Sequence, residues 1–256
     1  MAGVLTGTFF LFVMASITLA ASDKIHNTAN SDEKWRKLVS NKNRSAIGEG
    51  AILEAYALYD DSYRSRMTVQ SDVPDESSQK SQQEEKYFKE LFRKLQEYLN
   101  NQSIMINVTV KEVAEVDNLT VLTQQKYLDG RRTLENLTRY GESKHTSNKA
   151  VYYLFTWVDD SEDINTKGKI HSINPVGQHR LGVSEVSTED TFCTTNVSAA
   201  VLRHKPTTYN YHSLAKATTS IFGSKTFIEI SDKDWMAMNK TFLRCSAHQG
   251  DRPIGC

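Results

Sequence analysis

Cysteine is scarce in this chain. Three residues in 256 cannot build a disulfide scaffold, so the fold has to rest on a hydrophobic core. Cys193, Cys245 and Cys256 make an odd set: one bridge with a thiol left over, or a bond between chains, and their number does not say which two pair. Charge of one sign is also missing. The 31 basic and 31 acidic residues cancel, which argues against a nucleic-acid binder, whose basic excess would sit on one face. Beyond the N-terminus no segment is apolar enough to span a bilayer, no internal repeat is visible, and no strong boundary divides the chain, so one domain is the simplest reading.

The one long apolar run is at the start, from Val4 to Leu19, with Phe9 to Met14 at its centre. It is short for a membrane span and interrupted by Thr6, Gly7, Thr8 and Ser16. It closes on Ala20 and Ala21 before Ser22-Asp23-Lys24, the small-residue pattern of a cleaved signal peptide over residues 1–21. The n-region has no Lys or Arg; an uncleaved anchor is the alternative, and it too lacks the basic flank that would fix it. The expectation is a secreted, extracellular chain with no membrane-spanning part. Seven Asn-x-Ser/Thr acceptors agree with that address: Asn43, Asn101, Asn107, Asn118, Asn136, Asn196 and Asn239. The pattern is short and any one could be chance, but seven behind a signal peptide point to a glycoprotein.

Residues 22–49 are polar and read as a flexible leader, and residues 70–85 as a second disordered stretch. Between them Ile52–Tyr59 suits a buried strand that opens the domain. Tyr87, Phe88, Leu91, Phe92, Leu95, Tyr98 and Leu99 recur with the period of an amphipathic helix. Ile104–Val116 alternates as a strand, Arg132–Tyr140 reads as a short helix, and Ala150–Val158 is the most strand-like run. A polar loop, a Gly-punctuated stretch from Ile170 to Val186, a strand at Val197–Leu202 and a helix at Tyr209–Phe222 follow, and the tail from Phe227 reads as irregular. Strands alternating with helices predict an α/β layer with a mixed, mostly parallel sheet.

The order of these features resembles the reprolysin-type (metzincin) zinc metalloproteases, above all the tick salivary secreted ones and their degenerate 28 kDa Metastriate relatives. The residues that carry the likeness are LYDDSYRSRM, EKYFKELFRKLQEYLNNQSIMINVTV, AVYYLFTW, RLGVSEVSTEDTFC, LAKATTSIFGSKT, DWMAM and FLRCSAHQ with RPIGC. It covers residues 50–256 and rests on order and spacing more than identity. It implies a single metzincin-like domain with packed helices and an irregular C-terminal subdomain. DWMAM would be the Met-turn, with Met236 or Met238 as filler beneath the metal site. The resemblance also implies a bridge from Cys193 to Cys256, with Cys245 as the odd thiol and the chain a monomer unless that thiol pairs between chains.

The family motif H-E-x-x-H-x-x-G-x-x-H sets two imidazoles one helical turn apart on a single zinc ion, with a Glu between them as proton acceptor. Aligned on Gly223, those places hold Lys216, Ala217, Ser220 and Thr226. The ligands and the base are gone, and a Lys ammonium repels a cation. Shifting the frame to make His212 the first ligand loses the glycine. His26, His145, His171, His179, His204 and His248 show no metal-ligand spacing and read as surface or loop residues. No nucleophile elbow, phosphate loop or dinucleotide fingerprint is present. Asp60-Asp61, Asp159-Asp160 and Glu162-Asp163 read as solvated caps rather than acid–base pairs. Active members of the family carry a long inhibitory propeptide, for which the leader here is too short. The expectation is therefore a chain with no zinc or other cofactor and no catalytic residue, binding a host extracellular protein or peptide along an edge strand. Two alternatives remain: an active zinc metallopeptidase with a non-standard site, and a small-ligand carrier, which requires an antiparallel barrel.

Overall fold

The run ILEAYALY forms β1 (Ile52–Tyr59). In this computed structural model residues 44–68, 77–124, 127–157, 170–173 and 179–247 are described. The signal peptide, Asn43, the polar loop after Trp157 with its carboxylate pairs, His26, His248 and Cys256 lie outside them. Asp60 ends β1 and starts a helix: its Oδ1 accepts the Tyr63 N–H at 3.0 Å, an N-cap for α1 (Asp61–Thr68). Far from being solvated, Asp60 is buried and also receives the Thr120 hydroxyl at 2.8 Å.

The second helix, α2 (Ser77–Asn101), starts inside the stretch read as disordered. Its first turns are polar but contain no glycine or proline after Pro74, and Glu, Gln and Lys are good helix formers. Once the apolar face of Phe88, Leu91, Phe92 and Leu95 is buried, helix propagation through such residues costs little. Then come β2 (Asn107–Glu115), α3 (Gly130–Lys144), capped by Asp129 at one end and by left-handed His145 at the other, and β3 (Ala150–Thr156). A two-stranded antiparallel hairpin, β4 (Ile170–Ile173) and β5 (His179–Val183), precedes β6 (Glu185–Ser187) and β7 (Ser198–Arg203). Two more helices follow, α4 (His212–Ile221) and α5 (Asp232–Ala247). The tail is thus not irregular. Ser231 and Asp234 exchange hydrogen bonds in a capping box that starts α5, a signal hidden by the loop-like composition before it.

The main sheet has the order β2-β1-β3-β7-β6. Every pairing is parallel except β6 on β7, so the fold is α/β with a mixed, mostly parallel sheet in a single domain. The parallel pairing and the helices exclude the antiparallel barrel of a small-ligand carrier. Chain direction fixes the layers. β1 to β2 and β2 to β3 run in opposite directions across the sheet, so right-handed crossovers put α2 and α3 on opposite faces. β3 is buried along its whole length, as a central parallel strand must be. Ala150, Tyr152 and Leu154 join the cluster that packs Leu134 and Leu137 of α3. Tyr153 and Phe155 turn the other way, onto Phe92 and Phe88 of α2. Gly141 lets α3 come close: a Cβ there would stand 2.6 Å from Val197 Cγ1 and 2.8 Å from the Tyr152 ring.

The domain starts earlier than residue 50. Ile47, placed in the leader by its sequence neighbours, is buried and its carbonyl accepts the Met105 N–H at 2.7 Å. No helix among the described residues is long and apolar enough to cross a membrane.

His204, expected on the surface, is 3 % exposed at the end of β7, ringed by Tyr63, Tyr87 and Phe155. Its Nδ1 shares a hydrogen bond with the Tyr63 hydroxyl at 2.9 Å, the donor set by the ring tautomer. Burial lowers its pKa from 6.5 to about 4, against a small opposing pull from the Asn210 backbone. The folded state therefore holds a neutral imidazole that the unfolded chain protonates first. The stability this confers is complete above about pH 6.5 and is lost as the pH falls toward 4, about 3 kcal/mol in all. Chemical denaturation across that range should show the loss, and a H204F variant should lack it; an unchanged acid limb would refute the assignment.

Candidate functional site

The helix that the resemblance singles out, α4, lies on the same face of the sheet as α2 and runs past β6 and β7. Its inward residues, Leu214, Ala215, Ala217, Thr218 and Ile221, are fully buried. Small side chains let the helix sit close to the sheet, and Thr218 Oγ1 meets the Tyr153 hydroxyl at 2.9 Å.

The C-terminal carbonyls of α4 are met by the loop before β7. Asp190 N–H donates to Ser220 O at 3.1 Å, and Thr191 N–H to Ile221 O at 3.1 Å. The chain then leaves the helix through Gly223 at φ +94°, where a Cβ would stand 3.1 Å from Asp190 Oδ1. The alignment on Gly223 therefore falls on a true helix-ending turn. α5 closes the same junction: Thr241 Oγ1 bonds both Phe222 O, at 2.9 Å, and Asp190 Oδ1, at 3.0 Å. Arg244 reaches the same Asp190 oxygen at 2.6 Å.

Here the expected bridge has to be corrected. Cys193 is bonded to Cys245, with Cα atoms 5.1 Å apart, so the odd cysteine is Cys256. α5 supplies the reason. Cys245 stands four residues after Thr241, on the helix face that meets the 190–193 loop, and the helix keeps that face turned inward as far as Cys245 itself. The same helix displaces the Met-turn. DWMAM forms the first turns of α5, with Met238 in the core and Met236 61 % exposed.

The four motif positions do not converge on a metal. Lys216 projects from α4 and its ammonium is paired with Glu185 Oε1 of the edge strand β6. The second oxygen of that carboxylate takes the Ser184 hydroxyl. Glu185 is buried while the Lys216 side chain is about half exposed, so the ion pair is a lid over the junction of helix and strand. Ala217, at the place of the base, is fully enclosed. Thr226, at the place of the third ligand, is turned away: its Oγ1 bonds Asp234 Oδ2 at 2.9 Å and Glu229 O at 2.8 Å. Asp234 also takes the Lys225 N–H at 2.8 Å. Burial works against the Asp234 carboxylate, yet these hydrogen bonds with those of Ser231 hold its pKa below the usual range. His212 opens α4 one turn before Lys216 and meets the ring of Tyr211. Zinc does not fit these four positions: it is bound by imidazoles, thiolates and carboxylates, and the positions hold two hydroxyls, a methyl and an ammonium already paired with Glu185.

Of the acceptor asparagines, Asn101, Asn107, Asn118 and Asn196 are exposed, and Asn136 and Asn239 are half-buried on helices. Sequence reasoning missed a further feature. Asp61, Glu115 and Asp117 bring carboxylate oxygens within 4.8 Å of one another at a cavity of about 810 Å³ outside the carboxyl ends of β1 and β2. Glu115 is held there by Arg64, which donates to both its oxygens at 2.9 and 2.6 Å. Only the fold brings these residues together, since more than fifty positions separate Asp61 from Glu115.

No family model matches the chain, and no curated protein matches it. Among solved structures it is similar to a crystal structure of metalloproteinase-II from Bacteroides fragilis, with a TM-score of 0.42 and 12 % identity over 81 % of this chain and 60 % of that one. The chain thus spans less than two thirds of that protein's length. A likeness of this order carries no inference about activity.

Two outcomes follow from the geometry. Lys216→Met leaves the buried Glu185 carboxylate without its cation and should cost about 1–3 kcal/mol in denaturant melts; adding Glu185→Gln should recover most of it, and a second loss on top of the first would show that the pair is not coupled. Non-reducing peptide mapping should find Cys193 joined to Cys245, and Cys245→Ser should cost about 4 kcal/mol for a closed loop of 52 residues.

Proposed function

We propose that this chain is a secreted, glycosylated, catalytically inactive relative of the reprolysin-type metalloproteases that works by binding an extended segment of a host protein. The observation that carries the reading is the Lys216–Glu185 ion pair. It sets a fixed positive charge, matched by a buried carboxylate, at the position where the resemblance puts the first zinc ligand. The one carboxylate at that spot is already paired with the ammonium, which leaves it no free charge for a metal cation.

The binding half of the proposal rests on the sheet edge. β6 is the outermost strand on its side of the main sheet. Ser184 O and Thr188 N–H face β7, bonding Arg203 and Ala199, so in this antiparallel register Val186 faces inward as well. Glu185 and Ser187 therefore turn their backbone groups outward, ready for an added strand. In tick saliva, the setting that the resemblance implies, the partner would be a host haemostatic or immune protein. The binder needs no metal and acts as a monomer.

The test uses full-length protein from a secreting host. Metal analysis should find no stoichiometric zinc, and chelator-sensitive cleavage of general protease substrates should be absent. A host-plasma pull-down should recover an intact partner. Ser187→Pro, which removes an outward donor without touching the β7 ladder, should weaken that capture. Stoichiometric zinc with chelator-sensitive proteolysis would overturn the inactive reading, and capture indifferent to Ser187→Pro would overturn the edge-strand one.

A further inference from the structure

We propose that the Asn196-Val197-Ser198 acceptor carries an N-linked glycan whose first sugar seats in a cavity of the fold beside it, making the glycan part of the packed structure. The inference rests on the secreted reading above. It adds a specific attachment residue and the place where the sugar lies.

A depression of about 440 Å³ opens between the C-terminal turn of α3 and the 194–198 loop, and Asn196 lies on its wall. The Asn196 backbone N–H is fixed by Thr194 Oγ1 at 3.1 Å, while its side chain makes no hydrogen bond among the described residues and is exposed. Asn136 differs on both counts. Its Nδ2 donates to Leu119 O at 3.1 Å, its Oδ1 accepts from Arg139 at 2.8 Å, and it is half-buried.

The launching point is rigid. Val197, the middle residue of the acceptor, packs where Gly141 has no side chain, and Ser198 is buried against Thr191 Oγ1 at 3.0 Å. The lining offers a sugar both polar and apolar contacts. Asn148 and Thr195 line it with Ser147 and Thr194, whose hydroxyls donate to Glu54 and Thr191 O and can still accept. Exposed Glu142 and His145 stand beside them, and Ala150 and Val197 add apolar wall. A sugar ring presents the same two surfaces, a periphery of hydroxyls and an apolar face. Tethering removes the need for intrinsic affinity, because attachment keeps the local concentration of the sugar high. Asn118 also borders a cavity, but that one is walled by Asp61, Glu115, Asp117 and Arg64, charges whose desolvation a neutral sugar does not repay.

The covalent step is the ordinary one of the secretory compartment. A lipid-diphosphate-linked oligosaccharide is the donor: its C1–O bond breaks, a C1–Nδ2 bond to Asn196 forms, and the displaced lipid diphosphate leaves with the amide proton.

The test is to secrete the full chain from a eukaryotic host and map the glycopeptides. The folded protein is then treated with a peptide-N-glycosidase, and conversion of each asparagine to aspartate is followed. Asn196 should be occupied, and its glycan should be released about tenfold more slowly than that of exposed Asn107, with the difference abolished by denaturation. A Glu142→Trp variant, which crowds the cavity mouth from an exposed position on α3, should keep occupancy and raise the native release rate to that of Asn107. An empty Asn196 beside other occupied acceptors, or release at the Asn107 rate, overturns this inference and leaves the secreted reading standing. A chain that is not secreted and carries no glycan at any acceptor overturns both.

Discussion

The carbonyls at the end of α4 are the constraint on which the C-terminal half of the molecule depends. A helix packed against a sheet with its end covered by a loop has its last carbonyls cut off from water, and each must find a donor. Asp190, Thr191 and Phe192 supply them from the backbone, and Thr241 supplies another from α5. Once those bonds are made, the 188–193 loop can lie in only one place. Gly223 leaves the helix with positive φ and has no Cβ to crowd Asp190, and Cys193 is brought to Cys245. The disulfide therefore locks a junction that hydrogen bonding has already specified. Asp190 joins the parts, since Arg244 and Thr241 both bind it. Burial raises the pKa of its carboxyl, and those two partners more than reverse the rise.

That junction also explains why the fold has no need of a metal in the reading proposed above. A zinc ion bound by a helix and by the chain beyond its glycine would cross-link the two. Here the chain beyond Gly223 is held by other means, through Lys225, Thr226 and Ser231 on Asp234. The helix itself is tied to the sheet edge through Lys216 and Glu185. Each tie is a local set of hydrogen bonds or one ion pair, and each forms without a cofactor.

The central strands and the face of α2 were legible in the sequence because burial leaves a periodic trace: Ile52–Tyr59, Ala150–Thr156 and Phe88 to Leu99. The turn on which the motif was aligned was legible too, since Gly223 does end its helix with a left-handed φ. Illegible were the features that depend on contacts far apart in the chain. Nothing local to Cys245 says that α5 will carry it to Cys193, and family order pointed to Cys256 instead. DWMAM has the residues of a Met-turn, but Ser231 and Asp234 cap a helix through it. His204 has no pattern around it, because its aromatic cage comes from α1, α2 and β3.

Lys216 is where the two kinds of information meet. From sequence it is an ammonium where the resemblance expects a ligand. The structure adds its partner, a buried carboxylate on the strand that ends the sheet. A buried carboxylate without that cation would be costly, so the lysine has a structural role where it stands. The same pair ties α4 to β6, the edge strand proposed above to take an added strand. The ion pair thus also steadies the surface on which binding is proposed. A helix tied in this way keeps its place against the sheet edge without a metal to hold it, which is the condition the binding proposed above requires.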